Sequence, residues 1–393
     1  MQKSSKHMQE VSHHGHLIKA YREQAGLTQE ELASLIGRSR RTIITLEQVA
    51  RIRDVKVLRT LVWALHIPHE RLGLSEIVLP HSVVRSPLEP PPVSVGKNLS
   101  RVVFETLREN LRMRLDLYYL GSALGADQKL NDHIEHLANL VQHSSLKDRR
   151  FLLELLSHNY QLKGMISRDQ LDYATADACF TQASLVAQEA ECPELHALAL
   201  ARQATIELWR NLPDSAAHLY EIAREIAKRA PAALRTYLAA AHAEAQGTLG
   251  DERCLASLTF ARSMLKRIDP EDDDILLFHS TRSSEQSLHD GWLNCHTLLG
   301  KPGLAIEKYD QLLQHKLDLS MTRMEARLSM QYAEALFAAK DMSCCFYAVE
   351  GLKLARAVGS RRLFQRASEL ASKLATRAPH DERVKELLQA LQQ

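Results

Sequence analysis

Residues 28–47 read TQEELASLIGRSRRTIITLE, two short helical runs separated by a glycine. Thr28 is an N-cap residue, and Glu31, three positions on, is the reciprocal partner of a capping box. Leu32, Leu35 and Ile36 then give the first run one apolar face, and Ala33 is small enough to let a second helix pass close by. Gly37 supplies a tight turn, and Ser39 caps the run that follows, whose Ile43 and Leu46 point back to the first. That leaves Arg40, Arg41, Thr42 and Thr45 facing outward, with Gln29 beside them. Arginine forks onto guanine and glutamine onto adenine, while hydroxyls and helix N-termini meet phosphate oxygens.

This pattern resembles the Cro and phage-repressor type of helix-turn-helix, the XRE-like family, over Leu17 to Leu74. The resemblance implies a head that reads double-stranded DNA. It places Gln29, Arg40 and Arg41 against bases, and the expected DNA-contact set is Thr28, Gln29, Ser39, Arg40, Arg41, Thr42 and Thr45. One departure concerns the end of the second helix. Where the family has a glycine two residues after the glutamate, this chain reads Glu47-Gln48-Val49-Ala50. The competing reading is a surface helix with two solvated arginines.

Around this stretch the sequence predicts a small five-helix head over residues 16–78, after a disordered tail at 1–15. A first helix, HLIKAYREQAG, turns Leu17, Ile18, Tyr21 and Ala25 inward and closes at Gly26. A fourth runs from Asp54 to Leu65, and Pro68 opens a short fifth through Leu72. Trp63 falls among the apolar positions and reads as core. Residues 1–80 carry 12 Lys+Arg against 8 Asp+Glu, and the remainder 38 against 40, so the basic excess lies with the head.

From 79 to 97 the prolines crowd together in a semi-rigid linker. Gly96-Lys97 is followed by Asn98 instead of a hydroxyl residue and is no phosphate loop. Over residues 98–393 a small–aromatic–small motif recurs: Ala176, Phe180, Ala183; then Ala216, Tyr220, Ala223; then Ala256, Phe260, Ser263. Weaker copies start at Ala305 and Cys344. The starts of the first three differ by 40 residues, and this region resembles tetratricopeptide repeats, which implies an α-helical superhelix. An ordinary helical bundle is the alternative. With only 15 Gly, 12 Pro and five per cent aromatics among 393 residues, the fold class expected is all-α throughout.

Head, linker and repeats together resemble the layout of peptide-pheromone-responsive regulators of Gram-positive bacteria. The resemblance implies a transcription regulator that dimerises and binds a peptide or protein effector on the concave side of its repeats. By the repeat register His158, Gln161 and Arg168 are candidate groove residues, with the polar Asn211 and Asn294 as further candidates, and plain solvated helix surface is the competing reading of each. The rival functions are a protein-interaction scaffold and a simple phage-type repressor whose repeats only dimerise.

No Ser/His/Asp, paired-carboxylate or metal-ligand spacing is present, so no catalytic residue, metal or cofactor is assigned. The six cysteines lack C-x-x-C spacing and read as reduced buried thiols, the adjacent Cys344-Cys345 included. His7, His13, His14 and His16 read as tail. No apolar run approaches a membrane span and the N-terminus lacks a signal-peptide core, so a cytoplasmic protein is expected.

Overall fold

The computed structural model describes residues 13–25, 27–36, 38–50, 99–268, 283–314 and 322–392, with Ile52, Val57, Leu61, Leu65, Ile67, Leu277, Ser280 and Thr281. Every regular element among the described residues is an α-helix. The chain divides into two compact units, Met1–Leu79 and Pro80–Gln393. The expected linker, Trp63, Gly26, Gly37, His7 and the Pro68–Leu72 helix lie outside the described residues.

The head contains α1 (His14–Gln24), α2 (Gln29–Leu35) and α3 (Arg40–Gln48). The capping box forms in both directions: the Thr28 N–H donates to Glu31 Oε2 at 2.7 Å, and the Glu31 N–H donates to Thr28 Oγ1 at 3.2 Å. Ile18, Leu32, Ile43 and Leu61 are wholly buried and form one core with Ala33, Ile52, Leu65 and Ile67. Val57, Leu61 and Leu65 are helical at four-residue spacing, as the expected fourth helix requires. Ala25, expected on the inner side, is exposed because it caps α1 beyond its last turn.

Two features differ from the sequence reading, and they have one cause. Helix α1 begins at His14, inside the stretch expected as tail, and α3 ends at Gln48 without a glycine, because Val49 leaves it in extended conformation (φ −82°, ψ 130°). The two ends satisfy each other's unpaired backbone groups. The His14 N–H donates to Ala50 O at 3.0 Å, the Gly15 N–H donates to Val49 O at 3.1 Å, and His14 Nδ1 accepts from the Ile52 N–H at 3.2 Å. A Cβ at Gly15 would collide with the Glu47 carbonyl, so this approach needs glycine.

The second unit opens with α4 (Arg101–Leu120), α5 (Ala123–Asp127) and α6 (Leu130–His143). Six hairpins follow: α7 (Leu146–Asp169) with α8 (Tyr173–Glu189), α9 (Pro193–Trp209) with α10 (Pro213–Ile226), α11 (Ala232–Thr248) with α12 (Arg253–Leu265), α13 (Glu285–Leu298) with α14 (Pro302–Gln314), α15 (Thr322–Ala338) with α16 (Cys344–Ala357), and α17 (Arg361–Arg377) with α18 (Glu382–Gln392). From α9 onward, each first helix packs on its own partner, on the preceding second helix and on the preceding first helix. This is a helical repeat-like stack.

The small–aromatic–small motif forms the seam of the first two hairpins. Ala176, Phe180, Ala183, Ala216, Tyr220 and Ala223 are buried, and a Cβ on Gly164 of α7 would run into the Phe180 ring. The third copy is displaced by two residues from the expected register. Cys254, Leu258 and Ala261 are wholly buried there, whereas Ala256 and Phe260 are exposed. The long interval before the next seam at Ala305 holds Leu277, Ser280, Thr281 and Ser283, all buried.

The turns share a lock. Leu171, Glu191, Asn211, Gly250, Gly300, Lys340 and Gly359 all take positive φ. In each, the next N–H reaches back to a carbonyl in the helix just ended, as from Asp172 to Ser167 O (2.9 Å), Leu212 to Glu207 O (2.9 Å) and Ser360 to Ala355 O (2.8 Å).

The stack also closes on itself. Arg323 at the start of α15 donates to Asp169 Oδ2 (2.5 Å), to Tyr118 O (2.8 Å) and to Val358 O (3.0 Å). Ser360 Oγ donates to Asp169 Oδ1 at 2.8 Å, and Gln170 donates to Gly359 O at 2.6 Å. Helix α4 packs on both α7 and α15. One arginine thereby ties the end of the first hairpin helix to the fifth hairpin and to the turn before the sixth.

Candidate nucleic-acid interface

Helix α3 is held by its buried side, which leaves its opposite side to solvent. Ile43 is wholly buried, whereas Ser39, Arg40, Arg41 and Thr45 are exposed and Thr42 is half-buried. Ser39 Oγ accepts from the Thr42 N–H at 3.2 Å and lies 2.9 Å from Thr42 Oγ1. The Thr45 hydroxyl donates to Arg41 O at 3.0 Å. Arg40 has only a distant, exposed ion pair with Glu30 at 3.9 Å, worth little in water, so its guanidinium can turn to another acceptor. The exposed positive end of the α3 dipole adds to the two arginines, an arrangement suited to phosphate oxygens and base acceptors.

Beneath this surface lies a polar hub that the sequence reading did not identify. Glu47 is 7 % exposed. Its Oε1 accepts from Arg22 Nε at 2.5 Å, and its Oε2 accepts from Gln29 Nε2 at 2.8 Å and from Arg22 Nη2 at 3.4 Å. Arg22 also donates to Leu27 O at 2.8 Å. The hydrogen bond that Arg22 donates to Glu47 holds the Arg22 pKa above its ordinary value despite burial. The hub ties α1, the start of α2 and the end of α3 together. Gln29, expected against a base, is here fastened to Glu47 through its amide nitrogen. Arg22 and Glu47 stand 25 residues apart, and no local pattern links them. Thr28 is exposed beside them, and its backbone N–H lowers the Glu31 pKa.

The five candidate groove residues do not form one surface. Arg168 lies over the Trp209 ring at 4.7 Å and lines a cavity between the inner helices. His158 is buried, with Nδ1 3.1 Å from Ser280 Oγ, and Gln161 is buried and accepts from Arg202 Nη1 at 2.7 Å. Asn211 occupies the positive-φ turn between α9 and α10, and Asn294 is half-buried on α13. Among the described residues no group of His, Cys, Asp and Glu has a metal-binding arrangement, and no helix is long and apolar enough to cross a membrane.

The geometry of α2, its turn and α3 defines a helix-turn-helix. Residues 14–72 match the family model of the helix-turn-helix domain. The match begins at the residue where α1 begins, and a domain of this class points to a DNA-binding regulator. No curated protein and no solved structure matches the chain.

Proposed function

We propose that the chain is a sequence-specific DNA-binding transcription regulator that acts as a homodimer. The observation that carries the reading is the exposed row of Arg40, Arg41 and Thr45 on a capped helix, within a segment that matches the helix-turn-helix domain. Gln29, Thr28, Ser39 and Thr42 flank that row and complete the contact surface. One recognition helix covers only a few base pairs, so two heads on half-sites about one helical turn apart are the natural unit.

Dimerisation is assigned to the helical domain, the part that resembles tetratricopeptide repeats. In support, α4 exposes Met113, Leu117 and Leu120 at 55, 45 and 42 %, spaced four and three residues apart as in a coiled-coil seam. The same domain takes the effector, a peptide or protein in the layout that the sequence resembles, and its occupancy alters how the heads meet DNA.

The test is a selection for bound duplex followed by gel shift and light scattering. Arg40→Ala with Arg41→Ala should abolish preference for the selected operator, each base-forking arginine contributing about 1–3 kcal/mol. Met113→Lys with Leu117→Lys should convert a particle of twice the chain mass to a monomer. Equal operator affinity of wild type and the double-alanine variant would refute DNA reading by α3. A dimer that survives the lysine variant would refute the α4 seam.

A further inference from the structure

The displaced third seam leaves its aromatic residue outside the core. Because Cys254, Leu258 and Ala261 turn inward, Phe260 stays at the surface of α12, 36 % exposed. With the buried Leu238 it forms the apolar wall of a partly open cleft of about 300 Å3 between α10, α11 and α12. Three cations, Arg224, Lys228 and Arg235, and two carboxylates, Glu221 and Glu225, make up its charged lining, a balance of +1. Lys228 is answered by Glu225 in an exposed ion pair. The two arginines are answered by no carboxylate. Arg224 is half-buried, and among the described residues its only hydrogen bond runs from Nη1 to His242 Nδ1 at 2.7 Å, on a ring that burial keeps neutral with a pKa of about 4. Burial lowers the Arg224 pKa, opposed by Glu221, which forms no ion pair with it among the described residues. Arg235, also half-buried, lies over the Phe260 ring at 5.5 Å and has no ion pair among the described residues. Each guanidinium has thus lost part of its hydration without gaining a counter-charge to offset the loss, and its planar fork is matched best by a carboxylate.

We propose that this cleft binds a small organic monoanion, a carboxylate on an apolar body, with the carboxylate at Arg224 and Arg235 and the body against Phe260 and Leu238. The charge balance selects a monoanion. One negative charge neutralises the lining, whereas a phosphate monoester, with a charge of about −2, overshoots it and meets Glu221 and Glu225 as repelling neighbours. A neutral ligand leaves both guanidinium groups without a counter-charge. At roughly 30 Å3 per water molecule the cleft has room for about ten waters, at the lower end of the range for small-molecule sites. That such a ligand acts as an effector rests on the regulator reading above, whereas the binding itself does not.

The experiment is calorimetric titration of the full chain with hexanoate, benzoate, phenylacetate and 3-phenylpropionate, each beside its amide, and with phenyl phosphate. At least one carboxylate should bind one per chain, with its amide and phenyl phosphate each weaker by at least about tenfold, the equivalent of about 1.4 kcal/mol. Arg224→Gln and Arg235→Gln should each weaken the carboxylate, and the two together should abolish its binding, with the circular dichroism of the folded chain unchanged. Arg229→Gln removes the same charge from an exposed neighbour outside the lining and should leave binding as it was. Glu221→Gln raises the balance of the lining to +2 and should narrow the gap between phenyl phosphate and the carboxylate. The proposal is overturned if no carboxylate binds at millimolar concentration, if an amide or phenyl phosphate binds wild type as tightly as the carboxylate, if binding survives the double substitution, or if Arg229→Gln weakens it equally. Gel shifts with and without the bound carboxylate separate the two readings. Unchanged operator affinity removes the effector role and leaves the site, whereas failure to bind any DNA with carboxylate binding intact removes the regulator and leaves the cleft.

Discussion

Replacing Arg22 by Met should destabilise the head and leave the stability of the helical domain unchanged. The substitution keeps the apolar stem but removes both bonds to Glu47 and the bond to Leu27 O, leaving a carboxylate that is 7 % exposed with Gln29 as its remaining donor. Removing one partner of a buried ion pair costs about 3–5 kcal/mol. Stability for an ordinary domain is about 5–15 kcal/mol, and a small head sits near the lower end. In a domain of this size each kcal/mol moves the melting temperature by about 4–8 °C, so the head transition should fall by more than about 10 °C. The chain divides into two compact units, so calorimetry should show one transition move and the other stay. Adding Glu47→Leu should recover most of the loss, because an apolar pair of similar volume removes the uncompensated charge. A single substitution no more destabilising than the double one would refute the argument that Arg22 and Glu47 stabilise the head as a pair.

Two further outcomes follow from the helical domain. Gly164→Ala should destabilise it by about 1–3 kcal/mol in urea through collision with the Phe180 ring, and Phe180→Leu should relieve that loss; a neutral Gly164→Ala would place the α7–α8 seam wrongly. His242 is buried and accepts from Arg224 through Nδ1 at 2.7 Å, and burial, with Arg224 second, holds its pKa down to about 4 against an ordinary 6.5. The folded state therefore binds fewer protons than the unfolded state between those values, and stability is lost as pH falls from about 6.5 to about 4. His242→Gln should flatten that slope in denaturation curves taken across the window. His133, lowered to about 4 chiefly by burial, contributes in the same direction and should leave a residual slope. A slope unchanged by His242→Gln would refute the assignment.

The local features of the head were legible in sequence because each is set within a few residues. The Thr28–Glu31 box, the Ser39 cap and the apolar spacing of Leu32, Ile43 and Leu46 depend on helix periodicity and on side chains reaching their own backbone. The hairpin seams at Ala176 and Ala216 were legible for the same reason. Three things were decided only by tertiary structure. The start of α1 and the end of α3 depend on one another, since His14 and Gly15 supply the donors that Val49 and Ala50 lack. The third seam moved to Cys254, Leu258 and Ala261, because burial against neighbouring helices, not the arithmetic of a period, selects which face turns inward. The cavity between the inner helices takes Tyr118, Arg168, Trp209, Asp290 and Arg323 from helices far apart in the chain, brought together because the stack closes through Arg323 and Asp169. Contacts made by ring closure leave no periodic trace in a sequence, whereas contacts made within one turn of helix do.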